Sequence, residues 1–125
     1  GRVTELVAKP LLRLLFPEAL RFSQPLSGMI AGRRKVFRKV AFENDYGVDI
    51  GILLDVINSG ARIAEVNIGI IQHKMKPWEQ LPRMSEEVAK AILKRAGVPS
   101  GTFYFPGRKD MAINDAEANG ELAYI

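Results

Sequence analysis

The stretch ENDYGVDIGILLDVINSG, Glu43 to Gly60, constrains this chain most strongly. Ile50, Leu53, Leu54 and Ile57 fall at i, i+3, i+4 and i+7, a spacing that lines up one apolar stripe on a helix, and Asn58-Ser59-Gly60 supplies a stop. A second helix is predicted from about Leu81 to Ala96. Met84, Val88, Ala91 and Ile92 lie on one side of it, Glu86, Glu87, Lys90 and Lys94 lie outside, and Gly97 ends it. Between the two, Arg62 to His73 changes to alternation: Val66, Ile68 and Ile70 face one way, and Asn67, Gly69, Ile71 and His73 the other. That period predicts a strand ending at His73.

Upstream, Thr4 is a candidate cap for a helix carrying Leu6, Val7, Leu11, Leu14 and Leu15, with Pro10 expected to kink it or shorten its first turn. Pro25 to Gly32 reads as a strand interrupted by glycines. Arg33 to Val40 reads as a short amphipathic helix, with Val36, Phe37 and Val40 on its apolar stripe and Arg34, Lys35, Arg38 and Lys39 on basic faces. Helices alternating with short strands predict an α/β layer. Val98 to Ile125 shows no clear period and reads as a tail or junction. At 125 residues with 47% hydrophobic and 26% charged residues, the chain fits one domain or part of a larger one. No apolar run reaches a membrane span. The absence of cysteine is compatible with the cytoplasm, and the net charge of +4 favours anionic partners.

Candidate functional residues each admit two readings. His73, the single histidine, is either a metal ligand at the carboxyl end of a strand or a polar residue that ends it. A metal needs further ligands from elsewhere. Asp45 and Asp49, four apart at a helix start, either share a face where one acts on an acceptor hydroxyl or simply favour the helix dipole. The basic run Arg33 to Lys39 is either a solvated face or a phosphate clamp. It lacks the aromatic interleaving of a single-strand binder, and nucleic acid is not the expected partner.

Three segments taken in order carry a resemblance: GRVTELVAKPLL, then QPLSGMIAGRR with AFENDYGVDIGILLD, then NIGIIQHKMKP followed by MSEEV. Together they resemble the C-terminal half of the glucosyl-3-phosphoglycerate synthase family, nucleotide-sugar transferases of the GT-A fold related to family 2 glycosyltransferases. The resemblance covers about Gly1 to Gly97, which divides the chain into an acceptor-side part, 1–97, and a tail, 98–125. It implies retaining transfer of a hexose, glucose or mannose, from a nucleotide sugar to 3-phosphoglycerate, with Mg or Mn neutralising the departing diphosphate.

By position, the resemblance implies that Gly1, Arg2 and Thr4 meet the acceptor. Asp49 stands where the family usually has Glu, near the sugar and the acceptor, as the catalytic acidic residue. His73 matches the family's metal-binding histidine. The basic residue often found two places before that histidine is here Ile71, leaving Lys74 or Lys76 to meet the diphosphate. No Asp-X-Asp occurs in these residues, so the nucleotide-binding half with that motif is expected in a longer parent, and the 125 residues alone are expected to be inactive. Surface uncovered by the missing half makes a homo-oligomer an expectation. The alternatives are another family 2-like transferase with a lipid-phosphate or other acceptor, or a non-catalytic binding or dimerisation module on the same scaffold.

Overall fold

A computed structural model describes residues 1–69 and 76–104. The first helix begins at Arg2 and runs through a π-helical stretch, Thr4–Ala8, into α1, Lys9–Leu15. The backbone N–H of Lys9 reaches the carbonyl of Thr4 across this wider turn. Pro10 has no N–H to donate, and its ring would crowd the carbonyl one turn back. A widened turn just before it relieves both problems, so the helix passes Pro10 without breaking. Thr4 is not the cap that the sequence suggests. It lies inside the helix, 7% exposed, with no capping hydrogen bond from the residue before it.

A 3-10 turn, Pro17–Arg21, leads from α1 to a meandering segment, and α2 is a single turn, Arg34–Phe37. The two strongly periodic stretches form as expected: α3 is Val48–Asn58 and α4 is Leu81–Arg95, preceded by a 3-10 turn, Trp78–Gln80. Gly97 adopts φ +100° and ends α4, with the N–H of Val98 returning to the Leu93 carbonyl. Helix α4 packs against α3 on one side and against the first helix on the other. The core lies at this junction, built from Val3, Ala8, Leu12, Ile50, Leu54, Val88, Ala91 and Ile92.

The α/β expectation is met only in its helices. Among the described residues no strand forms, neither over Pro25 to Gly32 nor over 62–69. A strand exists only when its N–H and C=O groups meet a neighbouring strand, and no described segment supplies one. Val66 and Ile68 are exposed. The 61–69 segment is instead tied down by Glu65, whose carboxylate accepts from the Ser23 N–H at 2.8 Å and the Ser23 hydroxyl at 2.7 Å. The strand end at His73, with Ile71 and Lys74, lies outside the described residues, as does the tail from residue 105.

The polar side of α4 also departs from expectation. Glu87 and Lys90, predicted outside, are 7% and 4% exposed. Simple periodicity places them at the edge of the apolar stripe, but Lys90 is covered by the Asp45 carboxylate from the segment before α3, and Glu87 pairs with Arg83 one turn back on α4 at 3.4 Å.

Candidate functional site

The segment that enters α3 is held by an ionic clamp from the end of α4. Arg95 meets both oxygens of Asp55 at 3.0 Å through Nε and Nη2. Its Nη2 also donates to the Ala41 carbonyl at 2.7 Å and its Nη1 to Glu43 at 3.2 Å. Lys94 reaches Glu43 at 3.0 Å. The guanidinium lies directly on α3, because a Cβ at Gly51 would come within 2.9 Å of Arg95 Nη2. Bidentate pairing with each remaining donor satisfied is the arrangement in which buried charge is tolerated.

Asp45 belongs to this clamp. One carboxylate oxygen accepts from the Gly47 N–H at 2.8 Å, and the other pairs with Lys90. An aspartate bonding its own backbone two residues on favours a turn over a helix, so α3 starts only at Val48. Asp45 and Asp49 therefore do not share a helix face. Gly47 lies so close to α4 that a Cβ there would sit 2.8 Å from both the Ala91 Cβ and the Glu87 carbonyl. The Asp45-Tyr46-Gly47 turn is thus pressed onto α4 and fixes where the first turn of α3 begins.

Asp49 stands in that first turn, half-buried, with no hydrogen-bond or ion-pair partner among the described residues. Its carboxylate lies against the Gly28 backbone, where an added Cβ would be 3.7 Å from one oxygen and 3.8 Å from the other. Burial raises its pKa above the ordinary aspartate value. The helix start favours the anion, but desolvation prevails. A raised pKa means that this side chain adds stability at acid pH that is lost as pH rises through its folded pKa. Asp49→Asn is therefore expected to unfold at an equal or higher urea concentration than the parent at neutral pH. The difference should vanish below the ordinary aspartate range, which urea titrations at a series of pH values would read directly.

The expected acceptor residues separate. Thr4 is buried in the helix, whereas Gly1 is exposed and Arg2 is partly exposed at the helix start. The Arg2 guanidinium lies over the Trp78 ring, 4.2 Å from its centroid. Two residues before that ring, Lys76 Nζ lies 5.8 Å from the centroid of Tyr46. The short Lys76-Pro77-Trp78 segment thus brings a basic residue to the turn before Asp49 and an aromatic face to Arg2. Between the first helix and α4 runs an apolar groove of about 250 Å³, lined by Arg2, Val3, Leu6, Trp78, Leu81 and Pro82 among others. Sequence reasoning missed Trp78 and Tyr46, whose pairings join residues far apart in the chain. It also missed Lys90. Among the described residues no group of three His, Cys, Asp or Glu side chains could hold a metal, and His73 lies outside them.

The helical frame is similar to part of a solved glycosyltransferase. The chain is homologous to glucosyl-3-phosphoglycerate synthases: it is 41% identical over 116 residues to the enzyme of Mycobacterium tuberculosis, covering 88% of this chain. It spans 36% of the length of that relative. The crystal structure of the M. tuberculosis enzyme in complex with Mn²⁺, UDP-glucose and phosphoglyceric acid superposes with a TM-score of 0.74 at 44% identity, over 79% of this chain and 36% of that one. Its complex with Mg²⁺ and UDP gives a TM-score of 0.75 over the same shares. No protein-family model matches the chain.

Proposed function

We propose that this chain is the acceptor-side and metal-completing segment of a glucosyl-3-phosphoglycerate synthase, transferring a hexose from a nucleotide sugar to 3-phosphoglycerate. The observation that carries the proposal is the joint agreement of sequence and shape with an enzyme whose crystal structure holds Mn²⁺, UDP-glucose and phosphoglyceric acid. The acceptor-side part is 1–97, with 98–125 its tail. In the parent, 62–69 and Pro25 to Gly32 pair with strands of the nucleotide-binding half and complete the α/β sheet of a GT-A fold. That half carries the Asp-X-Asp motif.

The chemistry assigned to each residue follows from its type and place. Arg2 offers a planar fork to the carboxylate or phosphate of the acceptor, beside the exposed N-terminal Gly1. Thr4 contributes through the helix it helps to build, since its side chain is buried there. Asp49 accepts a hydrogen bond from the acceptor hydroxyl and orients it. A partly desolvated carboxylate is a stronger acceptor than a solvated one. Lys74 and Lys76 meet the diphosphate, taking the place of the basic residue that Ile71 replaces. His73 is one ligand of a Mg or Mn ion shared with the other half, and that ion neutralises charge on the departing diphosphate.

Exposed apolar side chains such as Leu6, Leu14 and Val66 support burial against the remainder of the parent or a second subunit, and a homo-oligomer belongs to this proposal. No helix of the described residues is long and apolar enough to cross a membrane. With charged small-molecule substrates, the cytoplasm is the proposed location. The sequence encoded upstream tests the proposal at once: a nucleotide-sugar half with Asp-X-Asp is expected there, and a parent without one would leave only the scaffold reading.

A further inference from the structure

We infer that Trp78 is a positioning residue for Arg2, a shelf that sets the plane of its guanidinium before the acceptor arrives. The inference rests on the proposed role of Arg2 toward 3-phosphoglycerate. Two observations lead to it. The Arg2 guanidinium lies 4.2 Å from the centroid of the Trp78 ring, although the two residues are far apart in sequence. Trp78 is also 70% exposed, so burial in the core does not account for its place.

A long arginine side chain loses much rotamer freedom when it grips an anion. Stacking on an aromatic face removes part of that freedom in advance. It also uses only the face of the guanidinium, whereas the N–H donors that recognise a carboxylate or phosphate radiate in its plane. The shelf itself is well seated. Trp78 opens the 3-10 turn Trp78–Gln80 that leads into α4, and Leu81 and Pro82 of α4 line the same groove as Val3 and Leu6 of the first helix. The helix that carries Arg2 and the turn that carries Trp78 are therefore fixed against each other.

The test uses the full-length synthase carrying this chain, with UDP-glucose as donor and 3-phosphoglycerate as acceptor. Trp78→Ala is expected to raise the KM for 3-phosphoglycerate about two- to fivefold, the range of an exposed cation–π contact, with kcat and the KM for UDP-glucose little changed. Trp78→Phe, which keeps an aromatic face, is expected to restore most of the loss. Arg2→Ala is the control and should raise the same KM by at least as much, with Trp78→Ala adding little on that background. An acceptor KM unchanged by Trp78→Ala but raised by Arg2→Ala would overturn the shelf while leaving the proposed function intact. An acceptor KM unchanged by Arg2→Ala would overturn both the acceptor role of Arg2 and the inference built on it. Equal damage to both substrates' KM values and to kcat would mark Trp78 as a general structural element and overturn the inference as well.

Discussion

Lys90→Met is expected to lower the stability of the fold by about 3 to 5 kcal/mol, the usual cost of leaving one member of a buried ion pair alone. Lys90 is 4% exposed, and its ammonium pairs with Asp45, whose side chain is 12% exposed. Methionine fills nearly the same volume, so the loss isolates the charge from the packing. The carboxylate left behind would still accept the Gly47 N–H, but its second oxygen would face α4 with no cation. The double variant Lys90→Met with Asp45→Asn should recover part of the loss, because an amide keeps an acceptor for Gly47 and carries no charge to desolvate. Urea unfolding followed by far-ultraviolet circular dichroism compares both variants with the parent. Equal stability of Lys90→Met and the parent would show that water reaches Asp45 and that the clamp is not closed.

His73→Ala is expected to lower metal-dependent transfer by the full-length protein by about two to three orders of magnitude, since charge neutralisation by a bound cation is worth several kcal/mol in such reactions. The loss should come with weaker apparent affinity for Mn²⁺, visible as activity that recovers partly at high metal concentration. The departing diphosphate of a nucleotide sugar develops charge as the sugar bond breaks, and the proposed ion sits against it. Lys74→Ala and Lys76→Ala bear on the same charge, but a lysine acts as a solvated point charge and its removal should be milder. Transfer and metal dependence that are unchanged in His73→Ala would remove this residue from the metal site.

The sequence shows parts of this structure clearly and hides others for physical reasons. Helices α3 and α4 were legible because Ile50, Leu54, Val88 and Ile92 repeat at 3.6-residue spacing, and that stripe is itself the buried core. The burial of Lys90 was not legible, because it depends on Asp45 folding back across more than forty residues of chain. Nor was the place of Asp45, which a turn to its own Gly47 withdraws from the helix. Pro10 announced a disturbance but not its form, a widened turn rather than a kink. The strands expected from Arg62 to His73, of which 62–69 is described, and over Pro25 to Gly32 illustrate a deeper limit. Alternation in sequence marks a segment suited to a sheet, but the partner that makes it a strand has to be present.

For the site, the order of the GRVTEL, YGVDIG and histidine segments pointed to the family that the similarity to glucosyl-3-phosphoglycerate synthases bears out. Asp49, for which a catalytic role is proposed, is half-buried and has its pKa raised by burial. The contacts at the edge of the proposed site, Arg2 on Trp78 and Lys76 near Tyr46, join residues that no local pattern connects.

The most direct measurement of the central claim is glucose transfer by the full-length protein from UDP-glucose to 3-phosphoglycerate, with the product identified by mass and the divalent cation either supplied or removed with a chelator. Formation of glucosyl-3-phosphoglycerate that stops on chelation and returns with Mg²⁺ or Mn²⁺ is the predicted result. A full-length protein that binds neither substrate and forms no glycoside with either metal would contradict the assignment and leave this chain a scaffold without the chemistry.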